Sequence, residues 1–247
     1  LDCKDTPKAR EIQGTVESCQ TRYDQIQEQV VDKQHRLQDA IVQSKDTIHN
    51  LDSLLKWTGE TENLFRNMTP VSLDREALNE QIQAHRVLTS DIENHKGQVD
   101  AIVEQCQGED EEDKVNNLLD RFDSLISNAQ DRGSELDDVV QKLGTLHGNV
   151  NQLESWLANA VHSLKRESTD FDHDSLKNKI ENLYRQKQAK QADLDKIKKI
   201  GRALINDPNT GDKNRLRETL ADTQAKWHDL TELLVQMISF AALREID

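Results

Sequence analysis

Apolar residues along this chain recur every three or four positions, the spacing that gathers side chains onto one face of a 3.6-residue helix. The clearest seam reads Leu78, Ile82, His85, Leu88, Ile92, His95, Val99, Ile102 and Cys106. It predicts a helix from about Ser72 to Gln107. A second seam runs Val115, Leu118, Phe122, Leu125, Ala129, then Leu136, Val139, Leu143, Leu146, Val150, Leu153, Leu157 and Leu164. A loop would reset the phase of such a pattern, so its persistence predicts one helix from about Asp110 to Lys165, passing through Gly144 and Gly148. The N-terminal stretch carries Ile12, Val16, Cys19, Tyr23, Ile26, Val30, Leu37, Ile41, Ile48, Leu51 and Leu55 in the same rhythm, with no Pro or Gly between Thr15 and Thr58.

Breaks between these seams are few. Thr69-Pro70 interrupts the chain after Phe65, Gly108 precedes the acidic run Glu109 to Asp113, and Asn206 to Asp212 is the clearest turn. The segments between are far longer than an ordinary helix, and a long helix with one narrow apolar stripe needs partner helices to bury it.

The chain also repeats itself. Leu54-Leu55-Lys56-Trp57 is matched by Leu153-Glu154-Ser155-Trp156, 99 residues later. Tyr23, Phe122 and Trp227 recur in similar apolar frames, and Leu78, Ile82, Val99 and Ile102 shift by 98 onto Leu176, Ile180, Ile197 and Ile200. Self-similarity at a long fixed period marks a stacked array. Each unit consists of a helix with a Trp, a middle helix, and a third helix with an aromatic that flows into the next unit's first helix. Trp57, Phe122, Trp156 and Trp227, with Tyr23 ahead of them, are the expected core aromatics, because rings from first and third helices can meet inside a three-helix bundle.

On these residues the chain resembles the spectrin-repeat superfamily, above all the giant cytoskeletal linkers of spectraplakin or nesprin type. Phe122 and Tyr23 depart from the family's commonest Trp. The resemblance implies an all-α fold of tandem three-helix bundles joined by continuous helices into an elongated rod. It divides the chain into the last helix of a preceding repeat (1–40) and two complete repeats (41–141 and 142–247). It implies a structural rod or spacer role in a cytoplasmic, cytoskeleton-associated protein, with actin, microtubules or the nuclear envelope engaged by other domains of a parent, and a monomeric fragment.

Composition narrows the alternatives. The 247 residues include 32% charged residues, only 34% hydrophobic ones, 3 Pro and 9 Gly, which disfavours sandwiches, α/β barrels and membrane spans. Lys and Arg number 32 against 46 Asp and Glu, a formal charge of −14, so binding of nucleic acid or anionic bilayers by the whole surface is disfavoured. That charge also speaks against a BAR-like membrane-bending dimer, which needs a basic concave face. Cys3, Cys19 and Cys106 are odd in number and widely spaced, as expected of reduced intracellular thiols, and no targeting or membrane segment is apparent.

The charge is unevenly placed. Lys177, Lys179, Arg185, Lys187, Lys190, Lys196, Lys198, Lys199 and Arg202 face only Glu181, Asp193 and Asp195 in the same stretch, whereas the equivalent Ser72 to Gln107 is net acidic. These nine are the candidate partner-binding residues, suited to an acidic filament, an acidic helix or an inositol lipid head. Neutralisation by neighbouring acidic helices is the simpler expectation. Lys187 and Lys190 fall near the seam and predict looser packing there.

No chemistry of catalysis is evident. The eight His residues include no pair four apart that could clamp a metal on one helix turn, and no nucleophile elbow or phosphate loop occurs. Asp207, Asn209 and Glu218 stand at positions one, three and twelve of a calcium loop, but Gly211 and Asp212 occupy the places of the fifth ligand and the turn glycine. The turn is expected instead to end in Asp212 as a helix N-cap. No enzyme activity, cofactor or metal is expected. Gly144 and Gly148, one turn apart, are the expected hinge, since each weakens a helix by roughly 1 kcal/mol relative to Ala.

Overall fold

A computed structural model describes residues 7–106, 109–167 and 173–244. Five helices carry nearly all of them: α1 (Pro7–Arg66), α2 (Arg75–Gln105), α3 (Glu109–Glu167), α4 (His173–Asn206) and α5 (Asn214–Arg244). Two short strands, β1 (Val71–Ser72) and β2 (Thr210–Gly211), interrupt the helical order. The phase argument holds for α3, which spans 59 residues without a break at either Gly144 or Gly148. Helix α2 starts three residues later than expected. Ser72 is committed to a strand, and Asp74 Oδ1 accepts the backbone N–H groups of Glu76 and Ala77 as the true N-cap.

The chain packs as two compact units, one of residues up to Glu62 with His95–Asp123, the other of Asn63–Asn94 with Ser124 onward. In the first unit, α1, α2 and α3 bury Leu51, Leu54, Val99, Ile102, Val115, Leu118 and Phe122. All but Leu54 are seam residues, so the bundle largely buries the narrow stripes read from the sequence; on α1 the buried position is Leu54 where the seam placed Leu55, which is half-buried. The second unit has one continuous core reaching from Val71, Leu73 and Leu78 through Leu136 to Leu164 on α3 and on to α4 and α5, as far as Leu234. Helices α4 and α5 approach closely at Gly201, where an added Cβ would lie 2.5 Å from Leu220 Cδ1.

The N-terminal seam behaves differently. Ile12, Val16, Ile26, Val30, Leu37 and Ile41 lie exposed on α1, and Tyr23, expected in a core, is 64% exposed. Its apolar pattern is intact, but among the described residues no second helix covers this part of α1, so the core position is not filled. Cys19, on the same seam, is exposed for the same reason. Cys3 lies outside the described residues.

Candidate functional site

The aromatic centres come from the expected pairs. Trp57 on α1 stacks on His95 of α2 at 3.8 Å between ring centres, with planes 13° apart, and meets Phe122 of α3 at 6.2 Å. Phe122 is buried, whereas Trp57 remains half-buried at the bundle surface. In the second unit Trp156 on α3 lies 6.1 Å from Trp227 on α5, tilted by 41°, and donates Nε1–H to Gln186 Oε1 on α4. Trp227 is the buried partner at 8% exposure.

Polar ties brace the first unit across α1 and α3. Arg121 Nε and Nη2 donate to the two carboxylate oxygens of Glu62 at 2.7 and 2.9 Å, a paired geometry that raises the guanidinium pKa. Lys114 pairs with Asp52 at 3.1 Å.

A second constellation was not expected from the sequence. The loop after α1 and the loop after α4, about 140 positions apart, are joined by a parallel two-residue bridge that sets Val71 beside Thr210 and Ser72 beside Gly211. Val71 N–H donates to Asn209 O at 2.8 Å and Leu73 N–H to Gly211 O at 3.2 Å. Ser72 Oγ donates to Asp212 Oδ2 at 2.7 Å and accepts the Asp74 N–H at 3.0 Å. Asp74 Oδ2 takes Arg215 Nη1–H at 3.0 Å. Its carboxyl is held below the usual range first by the Ala77 N–H, then by Arg215 and the Glu76 N–H. Gln81 stiffens the first loop, accepting the Ser72 N–H and donating to Pro70 O, while Arg132 of α3 donates to Thr69 O at 2.8 Å.

The bridge corrects the reading of Asp212. It does not cap α5; it has a left-handed backbone (φ 49°), which Asp tolerates better than most residues, and its side chain reaches Ser72. Helix α5 begins at Asn214, with Arg217 N–H bonded to Lys213 O. Val71, Ser72 and Thr210 are at most 4% exposed, whereas Gly211 is half-buried and Asp212 exposed, so the bridge is buried on its Val71–Thr210 side and open at Asp212. Leu73 and Val71 also join the core that runs through α3, α4 and α5, making the latch part of that core and not a surface tie.

The sequence pattern that defines the spectrin repeat matches residues 48–138. Over that stretch the chain is similar to a spectrin repeat. Its boundaries take in the Trp57–His95–Phe122 cluster, all of α2 and the first half of α3. Curated relatives extend the likeness further along the chain. Microtubule-actin cross-linking factor 1, isoforms 6/7, of Homo sapiens is 21% identical over 222 residues, covering 83% of this chain and 6% of that protein. Utrophin of Rattus norvegicus is 22% identical over 244 residues, covering 91% of this chain and 7% of that protein. Muscle-specific protein 300 kDa of Drosophila melanogaster is 22% identical over 187 residues, covering 72% of this chain and 2% of that protein. The chain thus spans a small fraction of each relative's length.

The nine basic residues of α4 part into two groups. Arg185 pairs with Glu181 at 3.7 Å, Lys190 pairs with Asp193 at 2.8 Å, and Lys187 Nζ lies 4.9 Å over the Trp227 ring, where burial pushes its pKa down. Lys177 and Lys179 are likewise engaged within the chain. Lys196, Lys198, Lys199 and Arg202 make no ion pair or hydrogen bond with the described residues. The looser packing expected around Lys187 is answered by its seat on an aromatic face. Among the described residues no cluster of His, Cys, Asp and Glu could hold a metal, and no helix is long and apolar enough to cross a membrane.

Proposed function

We propose that this chain is a spacer segment of a cytoskeletal cross-linking protein, built from two spectrin-like repeats at 41–141 and 142–247 behind the last helix of another at 1–40. Its work is mechanical: it holds a distance between binding domains elsewhere in a parent protein and transmits load between them. Actin, microtubules or the nuclear envelope would be engaged by those other domains, in the cytoplasm, and the segment itself catalyses nothing.

The observation that carries this reading is the unbroken 59-residue α3, together with the Val71–Thr210 bridge that ties the loop after α1 to the loop after α4 within one compact unit. A linker helix alone is a single strut that can bend. A hydrogen-bonded bridge between the two loops braces the unit that holds them at a second point, which suits a load-bearing spacer. The names of the relatives, one a microtubule-actin cross-linking factor, support the same reading.

Tethering the chain by its ends in optical tweezers tests it. A spacer keeps its extension as load rises and then yields in abrupt, cooperative steps. Gradual lengthening at low force with no discrete rupture would sink the proposal.

A further inference from the structure

The free end of the α4 stripe is a candidate docking surface. Lys196 and Lys199 lie on the exposed face of α4, with Arg202 exposed beside them and half-buried Lys198 on the flank. Steps of three residues set Lys196, Lys199 and Arg202 as a slanting row covering about 9 Å of the helix at ~1.5 Å per residue. None has an acidic partner among the described residues, although Asp and Glu outnumber Lys and Arg by 46 to 32 in the chain. The basic residues nearer the start of α4 are all engaged, with Glu181, with Asp193, over Trp227 or otherwise within the chain. Internal neutralisation, the simple account of such a run, therefore covers one part of the stripe and fails for the other.

We infer that Lys196, Lys199 and Arg202, with Lys198 beside them, form a docking site for an acidic segment of a partner protein, a Glu- or Asp-rich helix or tail. The reason for a peptide over a bilayer is the charge around it. An anionic membrane is a broad plane that would meet the acidic remainder of the surface as well, whereas a narrow acidic segment can lie along the row alone. A row of ammonium groups and one guanidinium, open to water, also suits a flexible multivalent partner better than one tightly fitted ligand. Each exposed pair is weak, so binding comes from several acting together and falls steeply with salt. This surface is independent of the spacer role and can fail without touching it.

The test uses the full chain and a fluorescently labelled deca-glutamate peptide, followed by anisotropy at low and physiological salt. The expected result is salt-sensitive binding that K196E/K199E/R202E weakens by about tenfold or more, at roughly 0.5–1 kcal/mol for each pair lost. The matched control R36E/K56E/K142E makes the same change in net charge on residues that already pair with Asp32, Glu60 and Asp138. It should leave binding within about twofold. Circular dichroism melts confirm that both variants fold, and if the triple reversal perturbs folding, K196Q/K199Q/R202Q takes its place. Equal weakening by both sets, or by neither, overturns the site. Sedimentation with vesicles of equal phosphatidylcholine and phosphatidylserine supplies the remaining arm: tighter capture by them than by the peptide at physiological salt, abolished by the same reversal, overturns the protein-partner assignment in favour of a membrane.

Discussion

His85 occupies on α2 the place that Leu183 fills on α4, 98 positions later. Its Nδ1 is buried without a hydrogen-bond partner, and its Nε2 lies 3.5 Å from Thr89 Oγ1 and near Gly133, where an added Cβ would come within 3.1 Å. Burial first, and Arg132 of α3 second, hold the imidazole below its ordinary value, against a smaller upward pull from Asp137. A depressed His pKa means that the neutral ring is favoured on folding. Its contribution is complete above the unfolded value of about 6.5 and is lost as pH falls through the lower folded value. Thermal melts between pH 7.5 and 5 should therefore show stability falling on acidification. His85→Leu should flatten that slope and raise stability by about 1 kcal/mol, by removing a buried nitrogen that has no partner. An unchanged slope would assign the pH dependence to other groups. The aromatics divide in the same way: Trp227→Ala, at a buried ring, should cost about 3–5 kcal/mol. Trp57→Ala, at a half-buried one, should cost about 2 kcal/mol by urea titration, since the ring has less area to lose. Equal losses would mean that the His95 stack matters as much as burial.

At the scale of the element, α3 carries the decision between a hinge and a packing device at its two glycines. A Cβ built on Gly144 or Gly148 meets nothing within 4 Å, so neither glycine is there to admit a neighbouring helix. Gly201 is the contrasting case, since Leu220 fills the space its missing side chain leaves. Gly144→Ala with Gly148→Ala should thus stabilise α3 by roughly 1 kcal/mol each, through helix propensity alone. Hydrogen exchange would read the effect as slower amides across Leu143 to Val150. If those amides in the parent already exchange as slowly as those in the middle of α2, α3 is not locally weak there and the hinge reading fails.

For the molecule as a whole, the bridge between the two loops should add to the stability of the compact unit that holds both. Ser72→Ala with Asp212→Gly removes the 2.7 Å hydrogen bond and still permits the positive φ at position 212. Loss of a hydrogen bond to a charged group should cost about 1.5–3 kcal/mol. Calorimetry should then show the double variant melting at a lower temperature than the unsubstituted chain. An unchanged melting temperature would show that core packing alone holds the two loops together. Asp74 adds a pH signature at the same place. Its lowered pKa gives stability that is present above the usual carboxylate value near 3.9 and lost as pH falls through the folded one. Bridge and α2 cap should therefore weaken together in acid.

The sequence by itself determined the helices, because a helix face is a local property: the step of three or four that places Leu118, Phe122 and Leu125 on one side of α3 needs no knowledge of partners. The same local logic carried the phase through Gly144 and Gly148, and a long-period repeat was enough to pair Trp57 with Phe122 and Trp156 with Trp227. Tyr23 marks the limit of that reasoning, since its pattern is as regular as the others but burial also needs helices to cover it. The bridge lay beyond sequence reasoning altogether. Val71-Ser72 and Thr210-Gly211 are two-residue strands with no period to detect, and each exists only because its partner, some 140 residues away, supplies the hydrogen bonds. Asp212 looked like a helix cap because that is its commonest local use; only the fold brought Ser72 within reach of its carboxylate. Likewise, nine basic residues spread along α4 said nothing of which were already paired, because ion pairing depends on three-dimensional distance, and it was the packing of α4 that left Lys196, Lys199 and Arg202 free.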